Sequence, residues 1–169
     1  MDASLALLLF VTAQRLVELA FAHRNTTRLL QHEGAVEVGA SHYPLIVALH
    51  TVWLGALWLW YLTGHASFSW PVGIAYMLVE IVRVWAMASL GRYWTTRIIV
   101  PANAKLVRRG PYRFIRHPNY CVVIAEIALL PLALGSWPMA VVFSLINAGL
   151  LTWRIRMENV TLRTRRQPA

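Results

Sequence analysis

Gly110-Pro-Tyr-Arg-Phe-Ile-Arg-His-Pro-Asn-Tyr120 runs directly into Cys121-Val-Val-Ile-Ala-Glu-Ile-Ala-Leu-Leu130, a cationic and aromatic block followed at once by an apolar one. Pro118 stands at the junction, where its missing N–H costs a helix no hydrogen bond and its fixed φ suits the first turn. The stretch reads as a place where the chain enters a bilayer as a helix. Crowding Tyr112, Arg113, Arg116, His117 and Tyr120 at that surface has two readings: a positive-inside loop whose prolines and aromatics fix the chain as it re-enters the membrane, or a site where something anionic or polar is held.

The rest of the chain supports the bilayer. With 58% hydrophobic and 14% charged residues, the 169-residue chain is too apolar for an ordinary soluble domain and short enough for one domain, 1–169. Apolar stretches run from Ala3 to Ala22, Tyr43 to Leu62, Pro71 to Leu90, Pro118 to Leu134 and Pro138 to Trp153. Each is long enough, or nearly so, to cross a hydrocarbon core of about 30 Å. Prolines 44, 71, 118 and 138 sit in the opening residues of four of them, with Ser41, Ser69 and Ser136 upstream as possible caps. The fold class expected is an all-α integral membrane protein of about five spans. The last two are short, and Pro131 interrupts the fourth, so they read as a tight helical hairpin and the count is four or five.

Charge sets the expected orientation. Fourteen of the 16 Lys and Arg residues fall in 24–28, 92–116 and 154–166, while links 63–69 and 135–137 carry none. Short cytoplasmic loops are enriched in these residues, which puts the N-terminus outside and the motif and tail in the cytoplasm, as in a multi-pass protein of a bacterial inner membrane. The same clustering explains the net charge of +9 without nucleic acid as a partner. The first apolar run has no basic leader and contains Arg15 and Glu18, so it is expected to be retained rather than cleaved. Lone Cys121 reads as a small packing residue, and no Cys/His cluster or H-E-x-x-H pair marks a metal site.

Charges at membrane depth are costly unless paired or functional. Arg15 with Glu18, and Glu80 with Arg83, share an i,i+3 spacing and can each neutralise on one helix face, or serve a substrate. Glu126 has no partner on its own helix and must meet Arg15, Arg83 or a ligand, or else be protonated. His42, Tyr43 and His50 sit at the start of the second span, where a histidine is more often a hydrogen-bonded structural residue than a catalyst.

Leu106-Val-Arg-Arg-Gly-Pro-Tyr-Arg-Phe-Ile-Arg-His-Pro-Asn-Tyr120, with Arg154-Ile-Arg-Met-Glu-Asn-Val-Thr-Leu162 after the hairpin, resembles the isoprenylcysteine carboxyl methyltransferase family. That family carries a GxYxxxRHPxY block and a later arginine-led segment with Glu-Glu-x-x-Leu. Here Glu158 fills the first acidic position and Asn159 replaces the second. Gly34-Ala-Val-Glu37, Gly39, His42-Tyr-Pro44 and His50 look like the bacterial branch associated with O-methylation of polyketide phenols and pyrones.

The resemblance implies S-adenosylmethionine as cofactor, held by about residues 92–169. By position, His117, Tyr120 and Glu158 would meet its amino-acid end, and Leu106 and Val107 its adenosine. Tyr112, Arg116 and Arg154 would shape the pocket. The cofactor's carboxylate suits arginine or imidazole, and its ammonium and sulfonium suit a glutamate. No G-x-G-x-x-G occurs, so a Rossmann-type site is not expected.

The acceptor expected is a lipophilic small molecule or membrane lipid with an acidic oxygen, a carboxylate or a phenol or pyrone hydroxyl. Arg83 is the candidate to stabilise that oxygen's charge and Glu126 the candidate base, with Glu18 and His42 reading the acceptor. Two alternatives stay open at this point. One is an NADPH-dependent membrane sterol or lipid reductase, which can carry a similar RHPNY block. The other is a non-catalytic scaffold or transporter subunit, because intramembrane charges also mark transport paths.

Overall fold

The computed structural model describes residues 2–38, 43–100, 107–115 and 117–164, with side chains as far as residue 157. Five helices account for most of it: α1 Ala3–His32, α2 Tyr43–Leu62, α3 Trp70–Leu90, α4 Pro118–Ala133 and α5 Trp137–Thr164. Strands β1 Val36–Val38 and β2 Ile98–Val100 pair antiparallel, with Glu37 opposite Ile99. The fold is thus mostly helical with a little sheet, which an all-α reading did not include. Strands this short leave no hydropathy period to detect.

α1, α2, α3 and α5 are long and apolar enough to cross a membrane. α4, at 16 residues, spans about 24 Å at roughly 1.5 Å per residue, short of a hydrocarbon core of about 30 Å. The short hairpin expected at the C-terminal end is therefore half right in form. α4 is short, but α5 runs 28 residues and carries the Arg154 segment as a continuous helix. α1 likewise continues ten residues past Ala22, taking Arg24 and Arg28 with it. Both extensions add polar turns to an apolar span, and hydropathy registers only the apolar part.

Asp2 caps α1 by accepting from the Leu5 N–H at 2.8 Å and also accepts from the Tyr61 hydroxyl at 2.9 Å. Its carboxyl is held below the usual aspartate value, first by the Leu5 N–H and then by the Tyr61 hydroxyl. At the same end of the molecule the α4–α5 turn packs on the link before α3, where Ser67 and Ser69 N–H groups donate to Leu134 and Ala133 carbonyls. Gly135 makes this possible, since its φ is +80° and a Cβ there would stand 2.4 Å from the Ser67 hydroxyl.

Between the two ends the layers change character. Leu8, Val11, Trp53, Leu57, Tyr76, Ile127 and Leu130 form an apolar core in the half nearer Asp2. The faces that build it continue into polar residues. On α1 the buried positions run 4, 8, 11, 18, 22, 25 and 29, a helical stripe that places Glu18 inward. On α3 they run 73, 76, 80, 83, 86 and 89, and on α4 Glu126 lies between Val122 and Leu130. Three stripes thus deliver charged groups to one depth.

Candidate functional site

Arg15, Glu18, Glu80, Arg83 and Glu126 meet where α1, α3 and α4 converge. Arg83 places Nε and Nη2 on the two oxygens of Glu126 as a fork, and its Nη1 stands 3.0 Å from Glu18 Oε2. Arg15 bridges Glu18 at 2.9 Å and Glu126 at 2.7 Å. Gln14 donates to Glu18 at 3.2 Å and also to Glu80. Bidentate guanidinium–carboxylate bonds are among the strongest polar contacts, and burial this deep requires them.

Both i,i+3 pairs form, but neither is exclusive. Arg15–Glu18 holds within α1, but Arg83 stands 3.7 Å from Glu80 and forms its close bonds with Glu126 and Glu18 instead. The reason is geometric: a guanidinium fork matches a carboxylate approaching across a helix interface better than one alongside it on the same helix. Three carboxylates against two guanidiniums leave one negative charge in excess when all are ionised.

A cavity of about 470 Å³ opens beside this cluster, between α1, α2, α4 and α5. Arg15, Glu18 and Arg83 line its inner side. Leu16, Leu19, Val47, Leu54 and Trp58 make its apolar wall, and Thr96, Asn119, Tyr120 and Arg154 its loop end. Leu16, Leu19 and Val47 are also exposed on the outer surface of the helices, so the apolar wall reaches the membrane-facing side.

The loop end is held from several directions. Arg154 donates from Nε to the Tyr120 hydroxyl at 3.1 Å and from Nη2 to the Thr96 carbonyl at 2.9 Å. Its guanidinium lies 5.7 Å from the Tyr120 ring centroid, and the His117 ring stacks on Tyr120 at 5.1 Å and 13°. The Tyr43 hydroxyl is 3.1 Å from that of Thr96, and Arg97 covers the Tyr43 ring at 4.7 Å. Arg97 also bonds Glu37 at 3.0 Å across the strand pair, which holds its guanidinium above the usual arginine value.

The motif that opened the sequence reading packs against α3. Gly110 has φ +59°, and a Cβ there would stand 1.9 Å from the Ser89 hydroxyl. Arg109 Nε donates to the Ser89 carbonyl at 2.7 Å. Gly-Pro-Tyr-Arg is therefore a short 3-10 turn clamped onto the end of α3, which fixes where α4 begins.

Of the residues singled out from sequence, Glu18, Arg83, Tyr120 and Arg154 line this one cavity, and His117 stacks on its rim. Glu126 does not line it, being buried behind the two guanidiniums. Tyr112 lies in the 3-10 turn and Val107 in the segment leading to it. Leu106, Arg116 and His42 lie outside the described residues. Glu158 is placed by its backbone alone, one turn beyond Arg154 in α5. Arg15, which the sequence left between self-neutralisation and a substrate role, and His50, which it read as structural, also line the cavity, as do Asn119 and Asn147, which it did not single out. Asn147 stands seven residues before Arg154 on one helix face, a spacing that could have found it.

The fold and site define a multi-pass membrane protein with a charge-bearing cavity that runs from an apolar wall to a basic loop end. Residues 72–164, more than half of the chain, match the isoprenylcysteine carboxyl methyltransferase (ICMT) family, and the chain belongs to it. It is also 42% identical over 159 residues to the uncharacterized protein YpbQ of Bacillus subtilis (strain 168), covering 92% of this chain and 94% of that one. No solved structure matches the chain. Family membership points to a membrane methyltransferase.

Proposed function

We propose that the protein transfers a methyl group from S-adenosylmethionine to an acidic oxygen of a lipophilic, membrane-embedded acceptor. The observation that carries this reading is the single cavity, polar and aromatic at its loop end, apolar toward the bilayer and lined by two guanidiniums between. The reductase and scaffold readings have no comparable support.

The loop end fits the cofactor chemically. Asn119 Oδ1 is buried without a hydrogen-bond partner among the described residues, an acceptor suited to an ammonium. Arg154 supplies a cation for a carboxylate, and the stacked His117 and Tyr120 rings supply faces that attract a sulfonium. These residues, with Tyr112 and Val107 and, as the family resemblance implies, Leu106, Arg116 and Glu158, would hold the cofactor at the cytoplasmic face, with the N-terminus outside. When bound, the cofactor supplies an electrophilic methyl on sulfur.

The chain's own residues then do three things. Arg83, with Arg15 beside it, holds the acceptor oxygen and stabilises its negative charge in a site of low dielectric. Glu126 and Glu18 fix both guanidiniums, so that orientation is set before the acceptor arrives. The bond network makes Glu126 a positioning residue in this reading, because its oxygens are occupied by arginine N–H groups. The apolar wall excludes water and takes the acceptor's tail from the bilayer side.

Calorimetric titration of the detergent-purified protein tests the reading. S-adenosylmethionine is expected to bind and NADPH not, with affinity lost in His117→Ala and Glu158→Ala. Binding of NADPH alone would overturn it.

A further inference from the structure

His50 is used by neither the charge network nor the loop end, yet it lines the cavity between them. Its Nδ1 stands 2.8 Å from the carbonyl oxygen of Ile46, one turn earlier on α2. A carbonyl only accepts, so Nδ1 carries a proton, and in the neutral imidazole Nε2 then keeps its lone pair. No described residue hydrogen-bonds Nε2. The ring is further set by an edge contact with Trp53, at 6.4 Å and 77°. A structural histidine would spend both nitrogens on the protein, whereas this one is anchored through one and leaves its basic nitrogen over.

We infer that His50 is the general base of the site, taking the proton of a hydroxyl acceptor as its oxygen is methylated. The inference rests on the methyl-transfer reading and deepens it. The balance is complete: the acceptor's O–H bond breaks and an N–H bond forms on Nε2. A new C–O bond forms as the methyl–sulfur bond breaks, and the sulfonium's positive charge is lost as the imidazolium's appears. A carboxylate acceptor needs no such group, and neither does an oxygen already ionised.

Charges of both signs face the imidazole. The groups facing His50 across the cavity are Arg15 and Glu18 on α1, Arg83 on α3, Tyr120 on α4 and Arg154 on α5, with Tyr43 on its own helix. Arg15 and Arg83 repel a proton on His50, and Glu126 behind them attracts one. The α1–α3–α4 cluster carries one excess negative charge when ionised, which offsets a proton on His50, while the further cation Arg154 stands at the loop end. The arginines meanwhile hold the oxygen from which the proton leaves.

The test uses the full chain in lipid nanodiscs, methyl-labelled S-adenosylmethionine, para-dodecylphenol and its ortho-nitro derivative. The first hydroxyl resembles tyrosine, ionising near pH 10, while the nitro group leaves the second largely ionised near neutrality. His50→Asn keeps a donor for the Ile46 carbonyl and removes the base. Turnover of dodecylphenol is expected to fall about 10²–10⁴-fold, with cofactor affinity and turnover of the nitrophenol unchanged. In the wild type the dodecylphenol rate should fall as acid protonates the imidazole, and the nitrophenol rate should lack that imidazole limb. This wild-type comparison stands even if the variant does not fold.

Equal losses on both phenols, or none on dodecylphenol, overturn the base. So does a wild type that binds cofactor yet methylates neither phenol. A wild type that binds no cofactor overturns the methyl-transfer reading and the base with it.

Discussion

Replacing Arg83 with methionine removes the group that ties three helices together. It leaves Glu18 and Glu126 to Arg15 alone, with three carboxylates against one guanidinium. Breaking a buried pair by deleting one partner costs about 3–5 kcal/mol. At about 2–4 °C per kcal/mol for a chain of this size, the melting temperature should fall roughly 6–20 °C. Glu126→Met leaves two guanidiniums with two carboxylates, a balanced count, so its loss should lie at the lower end, about 3 kcal/mol. The double variant Arg83→Met, Glu126→Met removes a matched pair and restores the original excess of one carboxylate. Its destabilisation should be smaller than the sum of the singles, with a coupling of about 1–3 kcal/mol. Thermal unfolding of the purified variants, followed by circular dichroism in one detergent, measures all three. Additive losses would refute the claim that Arg83 and Glu126 are direct partners across α3 and α4.

Gly110→Ala adds about 1–3 kcal/mol of backbone strain at positive φ and a collision with Ser89, so cofactor affinity and thermal stability should both drop. Ser89→Gly in the same chain should recover part of each, which paired melting curves would show. Arg154→Lys cannot reach Tyr120 and Thr96 as a fork, and calorimetry should find cofactor affinity about tenfold weaker, some 1.4 kcal/mol. Asp2 has a carboxyl held below 3.8 in the folded chain. Its stabilisation is therefore full above that value and lost as pH falls through the lower folded one. The melting temperature of Asp2→Asn should consequently fall less than that of the wild type between pH 7 and pH 3.

Much of this arrangement was legible in the sequence. The bounds of α2 and α3 follow from apolar length and proline placement, and intramembrane charges marked Arg83, Glu18 and Glu126 before any geometry was known. Glu126, without a partner on its own helix, was expected to meet Arg15, Arg83 or a ligand, and it meets both arginines; the geometry of that meeting was not legible. An i,i+3 spacing is visible along one helix, whereas the fork of Arg83 on Glu126 depends on how α3 packs against α4. His50 read as structural for the same reason, since its half-satisfied ring appears only when α1, α4 and α5 enclose the space beside it. The extensions of α1 and α5 escaped because hydropathy stops at the polar turns while the backbone hydrogen bonds continue.

The account stands or falls on methyl transfer into a lipophilic acceptor through this cavity. The direct measurement is mass spectrometry of membrane lipid extracts incubated with purified protein and methyl-labelled S-adenosylmethionine, alongside Arg83→Met. The account predicts a species heavier by about 14 Da, plus the label, with wild type and not with the variant. No labelled product in any lipid class, from protein that binds the cofactor, would contradict it.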